Sequence, residues 1–241
     1  MIKERIMKNY IKYFFGATLA GILIGISAVL TLSVTDKVVG AFLFSVGIYA
    51  IAVNKLNLFT CRVGYVVNEK DKGEYIKYLF ITLFGNLFGV FLAAFFGVWK
   101  KIFVIEGTIS PVISGKSMML VTNPENLFFL AVFCGLLMYI AEDGYKKTEN
   151  PGIIVLTTMA FILAGFEHSI ADMFYVFAAV LTKKQITFAT AIGILFLVTL
   201  GNIVGAILIP LYNNFKTEDK KVVKFDLKSL FKIKKKGSKK K

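Results

Sequence analysis

One stretch of the chain gathers its most reactive polar groups: Gly165-Phe166-Glu167-His168-Ser169-Ile170-Ala171-Asp172. It holds the only histidine of the 241 residues, with one carboxylate directly before it and another four residues after it. An imidazole gives and takes protons near neutral pH, and a carboxylate one helical turn away can orient it or hold it charged. The stretch sits inside an apolar segment running from about Ile153 to Leu181. A segment of that length crosses a bilayer, where ionisable groups are costly and mark transport paths more often than idle packing. An intramembrane enzyme would need a nucleophile, a base and an orienting group together, and no such set surrounds His168. No metal or cofactor is implied: one histidine and the distant Cys61 and Cys134 match neither a zinc spacing nor a paired-cysteine motif.

The elements that must position this stretch are membrane helices. The chain is 56% hydrophobic with mean hydropathy +0.70, it has 24 phenylalanines, and only 18% of its residues are charged. Soluble domains are about 45–50% apolar. The net charge of +14 does not indicate a nucleic-acid partner. Much of it lies in a tail ending Lys234-Lys235-Lys236-Gly237-Ser238-Lys239-Lys240-Lys241. In a membrane protein such a tail is a solvated, disordered end, a topology signal and a contact for anionic lipid.

In chain order, residues 1–12 form a basic lead-in whose Ile2, Ile6, Tyr10 and Tyr13 suit a short interfacial helix. Span one covers about Tyr13 to Val34, with small residues for close helix packing. Val38 to Val53 is too short for a span of about 20 residues. A broken second helix, resumed around Leu58-Phe59-Thr60, explains this better. Span three runs from about Tyr75 to Trp99. Residues 100–125, with Gly107, Pro111, Gly115 and Pro124, read as a polar connection. Span four covers about Leu127 to Ala141. Span five is the opening segment, interrupted near its middle, and Lys183-Lys184 ends it. Span six covers about Ile186 to Leu211.

With the N-terminus inside, the inner segments carry four, four, two and twelve lysines and arginines. The outer ones carry only Lys37, Lys100, Lys101, Lys116, Lys183 and Lys184. The positive-inside rule therefore predicts six spans in the plasma membrane with both termini cytoplasmic. The channel domain is expected over residues 1–212 and a basic cytoplasmic tail over 213–241.

The halves repeat. Gly85-Asn86-Leu87-Phe88-Gly89 in span three echoes Gly201-Asn202-Ile203-Val204-Gly205 in span six, and each follows a span that reads as broken. Three spans per half is odd, so the halves have opposite topology: a 3+3 inverted repeat with broken second and fifth helices, all-α and integral to the membrane.

These motifs resemble those of the formate/nitrite transporter family. Gly165-Phe166-Glu167-His168-Ser169 is similar to its fifth-span motif, Leu58-Phe59-Thr60 to its other break, and Gly85-Asn86 and Gly201-Asn202 to its third- and sixth-span motifs. The resemblance covers about Tyr13 to Tyr212. It implies an aquaporin-like subunit of a homopentamer passing small monovalent anions: formate first, nitrite or hydrosulfide next, with proton-coupled transport an option. It implies His168 at the pore centre with Thr60 facing it. Leu58, Phe59, Phe44, Ile48 and Phe161 would narrow the pore, and Lys116 would sit at its mouth. Supporting positions are Glu167, Asp172, Asn86 and Asn202. Two positions depart from the family pattern, which commonly has asparagine where Asp172 stands and near Cys134. The alternative is an aquaporin-like pore for a neutral small solute.

Overall fold

The computed structural model describes residues 2–99, 106–182 and 186–237. Lys100, Lys101, Lys183 and Lys184 of the topology count, and the last four residues of the tail, lie outside the described residues. The regular elements among the described residues are all helical: α1 (Ile2–Leu32), α2 (Lys37–Val53), α3 (Phe59–Arg62) with a 3-10 turn over Val63–Val67, α4 (Lys72–Ala94) with a π turn over Phe95–Trp99, α5 (Glu106–Thr122), α6 (Pro124–Thr148), α7 (Pro151–Leu163), α8 (Ser169–Leu181) and α9 (Phe188–Gly237). Among the described residues, four segments are long and apolar enough to cross a membrane alone: Asn9–Leu32, Lys72–Gly97, Pro124–Thr148 and Phe188–Lys216. Large apolar side chains such as Phe80, Phe84, Leu156 and Phe196 are exposed on the outside, as a lipid-facing surface requires.

Two helix pairs, α1 with α4 and α6 with α9, cross at backbone contact. The glycines of the repeated motif allow it. A methyl group on Gly89 would sit 2.1 Å from the Thr18 carbonyl oxygen, and one on Gly205 would sit 1.9 Å from that of Val132. Small residues let membrane helices approach this closely and gain dispersion contact that lipid cannot supply.

Between these pairs lie the interrupted elements. After α2 the chain passes through Lys55 at φ 53, and after α7 through Gly165 at φ +69. Both stops show the same hydrogen bonds, Leu56 N–H to Ile51 O and Phe166 N–H to Phe161 O, each 2.9 Å. This is the left-handed stop that closes a helix on its own last carbonyls. Leu58 and His168 are then extended, and the short helices α3 and α8 begin.

Two sequence expectations change. Residues 100–125 are not simply a connection, because Glu106–Thr122 is helical despite Pro111 and Gly115. Packing decides against composition here: Ile109 and Ile113, one turn apart, are 0% and 2% exposed. The basic tail is also helical as far as Gly237 rather than irregular. Its run beyond Pro210 is rich in lysine, a good helix former, and meets no glycine or proline before residue 237.

Candidate transport site

The repeated asparagines hold the breaks. Asn86 Oδ1 accepts from Phe59 N–H (2.8 Å), and its Nδ2 donates to Asn57 O and Ala17 O (both 2.8 Å). Asn202 does the same on the other side. Its Oδ1 accepts from Ser169 N–H (2.9 Å), and its Nδ2 donates to Glu167 O (2.9 Å) and Ala131 O (2.8 Å). Each amide thus satisfies one donor and one carbonyl of an interrupted backbone that has neither helix nor water to serve it. Both asparagines are fully buried.

These clamps bring Thr60 and His168 together. Thr60 Oγ1 lies 2.9 Å from His168 Nε2, and both residues are buried. His168 caps α8 with its own ring: Nδ1 accepts from Ala171 N–H at 3.2 Å. A ring nitrogen that accepts carries no proton, so the neutral imidazole is the Nε2–H tautomer. Nε2–H therefore donates to Thr60 Oγ1, which leaves the threonine hydroxyl proton available to a further acceptor.

Apolar residues enclose the pair. The Phe161 ring stacks on the imidazole, with centroids 5.7 Å apart and planes at 19°. Phe44 meets Phe161 edge to face at 5.7 Å. Phe44, Ile48, Leu58, Phe59 and Phe161 are all buried. Phe161 and, through it, Phe44 thus lie beside the imidazole, Leu58 and Phe59 directly precede Thr60 in the chain, and Ile48 stands one turn after Phe44 on α2.

Lys116 is not a free lysine at a mouth. Its Nζ lies 2.9 Å from Asp172 Oδ1, bonds Glu167 Oε2 as well, and sits 5.7 Å from the centre of the Tyr175 ring. Only 12% of its side chain is exposed. The reason is local: Lys116 stands three residues after Ile113 and seven after Ile109, on the packed face of α5. The expectation that Asp172 acts on the imidazole also fails. Its Oδ1 is engaged by Lys116, and the imidazole Nδ1 is turned to the Ala171 N–H. Glu167 binds Lys116 through its carboxylate. The helix N-termini at the breaks do not offer all their N–H groups to a solute, since Phe59, Ser169 and Ala171 are already engaged.

Sequence reasoning missed a second ionic group. Arg62, the last residue of α3, pairs with Glu142 at 2.7 Å, and Lys146 reaches the same oxygen at 3.0 Å. Arg62 and Lys146 border a cavity of about 640 Å³, where Asn57 and Tyr13, Tyr65, Tyr75 and Tyr78 add polar edges. The signal was Lys146, one helical turn after Glu142. The Arg62 contact joins elements 80 residues apart and leaves no local pattern.

Comparison with known proteins places this architecture. The family model described as formate/nitrite transporter matches residues 1–214. The formate channel FocA of Escherichia coli (strain K12) is 26% identical over 214 residues, covering 77% of this chain and 73% of that protein. FocA of Haemophilus influenzae is 25% identical over 212 residues, covering 76% and 75%. Among solved structures, one titled "Pentameric formate channel with formate bound" superposes with a TM-score of 0.72 at 25% identity, covering 87% of this chain and 98% of that one. An "FNT family ion channel" superposes with a TM-score of 0.77 at 21% identity, covering 88% and 92%. The chain belongs to the formate/nitrite transporter family, a family of membrane channels and transporters and not of enzymes.

Proposed function

We propose that this chain is one subunit of a homopentameric membrane channel for small monovalent anions, formate first and nitrite or hydrosulfide next, with its pore centred on His168 and Thr60. The carrying observation is the buried Thr60–His168 hydrogen bond between the two helix breaks, enclosed by phenylalanine rings. In this reading α2 with α3, and α7 with α8, complete a six-span, 3+3 inverted repeat of aquaporin-like form, in the plasma membrane with both termini cytoplasmic. Residues 1–212 form the channel and 213–241 a basic cytoplasmic extension that meets anionic lipid. The formate channel relatives and the pentameric solved structure support the substrate class and the assembly.

A bare anion in a low-dielectric pore loses its hydration, a cost that fixed donors must offset. Nε2–H bonded to Thr60 Oγ1 polarises that hydroxyl, and the chain of two bonds makes it a stronger donor to an anion. Phe44, Ile48, Leu58, Phe59 and Phe161 would exclude water and larger solutes on either side. If the substrate crosses as the neutral acid, it avoids work against the membrane potential of ~2.3 kcal/mol per charge per 100 mV. With Nδ1 committed to Ala171 N–H, any proton the ring gives or takes passes through Nε2.

A pore for a neutral small solute is the second reading, and the ion pairing of Lys116 favours it, since a neutralised lysine steers anions poorly. Proteoliposome uptake of formate, nitrite and hydrosulfide beside swelling assays with neutral solutes tests both. Anion uptake with associated current or proton movement supports the first reading. Swelling with neutral solutes and no anion uptake overturns it.

A further inference from the structure

The cluster beyond His168 does not balance its charge. Lys116 supplies one ammonium, and Glu167 and Asp172 supply two carboxyl groups that bond it. With all three ionised the cluster carries one net negative charge. Its side chains are 12%, 8% and 1% exposed, so solvent screens that charge poorly. The other ionisable groups around it do not compensate. Tyr175, on α8 itself, lies under the Lys116 ammonium, the Cys134 thiol of α6 is an uncharged buried group, and His168 carries no proton on Nδ1. The elements packed on the far side of α8 add apolar contacts, Gly25 of α1 against Phe174 and Phe91 of α4 against Phe177.

A second observation marks where a proton belongs. Asp172 Oδ1 is bound by Lys116, while Asp172 Oδ2 is buried and has no hydrogen-bond partner among the described residues. A bare carboxylate oxygen without a donor is a costly group to bury. Two carboxylates sharing one site lose that cost when one of them takes up a proton. A proton on Oδ2 neutralises the cluster and turns the orphaned acceptor into an O–H donor beside the Glu167 carboxylate.

We propose that the Lys116–Glu167–Asp172 cluster is a proton-binding site, with the proton on Asp172 Oδ2, and that it admits anions to the pore only in its proton-bound form. Without the proton the cluster is negative and repels an anion. With it, the Asp172 O–H and the Lys116 ammonium together offer donors to a carboxylate or similar small anion. This proposal rests on the anion-pore reading above, and its test separates the two.

The full-length protein is purified in detergent and its infrared difference spectrum is followed against pH, for the wild type, Asp172→Asn and Glu167→Gln. In parallel, formate uptake into proteoliposomes is measured against pH on the Lys116 side. The wild type is expected to show a titrating protonated-carboxyl band that is absent from D172N. Its uptake is expected to fall about tenfold per pH unit above the midpoint of that band, the dependence of a one-proton requirement. Either single neutralisation removes the excess charge, so both variants are expected to transport with that slope flattened. A merely structural role for Asp172 would lower uptake without changing its slope. The proposal is overturned if no such band exists, if the band survives in D172N, or if both variants keep the wild-type slope. A titrating band with no anion uptake in any of the three proteins would uphold the proton site and overturn the pore reading.

Discussion

Replacing Asn202 by alanine should be among the most damaging single changes in the chain, because its fully buried amide serves three backbone groups. The substitution strips Ser169 N–H of its acceptor and Glu167 O and Ala131 O of their donors. Ala131 O lies within α6 and keeps its helical bond, so its loss is small. Ser169 N–H and Glu167 O lie at the break, where no helical partner replaces the amide. Each buried group left unpaired costs about 1–3 kcal/mol. The expected destabilisation therefore lies between about 2 and 6 kcal/mol. Asn86→Ala removes the corresponding set at the other break, Phe59 N–H, Asn57 O and Ala17 O, and should cost a similar amount. Asn202→Asp keeps an acceptor for Ser169 but loses both donated bonds and buries a charge, so it should be no milder. The control is Asn54, an exposed cap whose side chain donates only to Ala50 O at 2.8 Å, and whose alanine variant should change stability by less than about 1 kcal/mol. Unfolding by detergent titration, followed by helicity, measures all four. If N202A and N86A unfold with N54A, the breaks are not held by these amides and the account of the repeated motif is wrong.

Other outcomes follow from the same geometry. Gly205→Ala places a methyl group 1.9 Å from Val132 O, so α6 and α9 must separate, and stability should fall by about 1–3 kcal/mol, read from the same titration. Thr60→Val keeps the volume but leaves His168 Nε2–H without its acceptor and removes the hydroxyl offered to the solute. Formate uptake should fall at least about tenfold while helicity is retained, the rate equivalent of one lost hydrogen bond in the path. Arg62→Gln should destabilise the protein more than Lys146→Gln does, because Arg62 is the more buried partner of Glu142, its side chain 14% exposed against 44%.

Much of this site is legible in the residues, and the limits have physical causes. The apolar run Val38–Val53 is too short to span, and α2 does stop at Val53 before a left-handed residue. Leu58-Phe59-Thr60 and Glu167-His168 mark the two breaks because a chain that leaves a helix inside a membrane needs unusual residues there. The Gly-Asn-x-x-Gly repeat does not by itself say what task it serves; the structure gives its glycines helix packing and its asparagines the broken backbone. What could not be read is who pairs with whom. Asp172 stands four residues after His168, which in a continuous helix would put it one turn above the ring. His168 is instead extended and caps α8, so its ring turns to Ala171 and the carboxylate is left to Lys116. Lys116 itself was hidden because proline and glycine in residues 100–125 suggested a connection. Its helical spacing with Ile109 and Ile113 was present in the sequence but carried no mark of what the buried face would meet.

The most direct test of the pore is formate uptake into proteoliposomes by the wild type and by His168→Phe, each measured across a range of pH. The account predicts that the wild type takes up formate and that the variant, lacking the Nε2–H that polarises Thr60, loses most of that uptake and changes its pH dependence. Unchanged rate and unchanged pH dependence in His168→Phe would contradict a central role for the histidine as donor or as proton carrier.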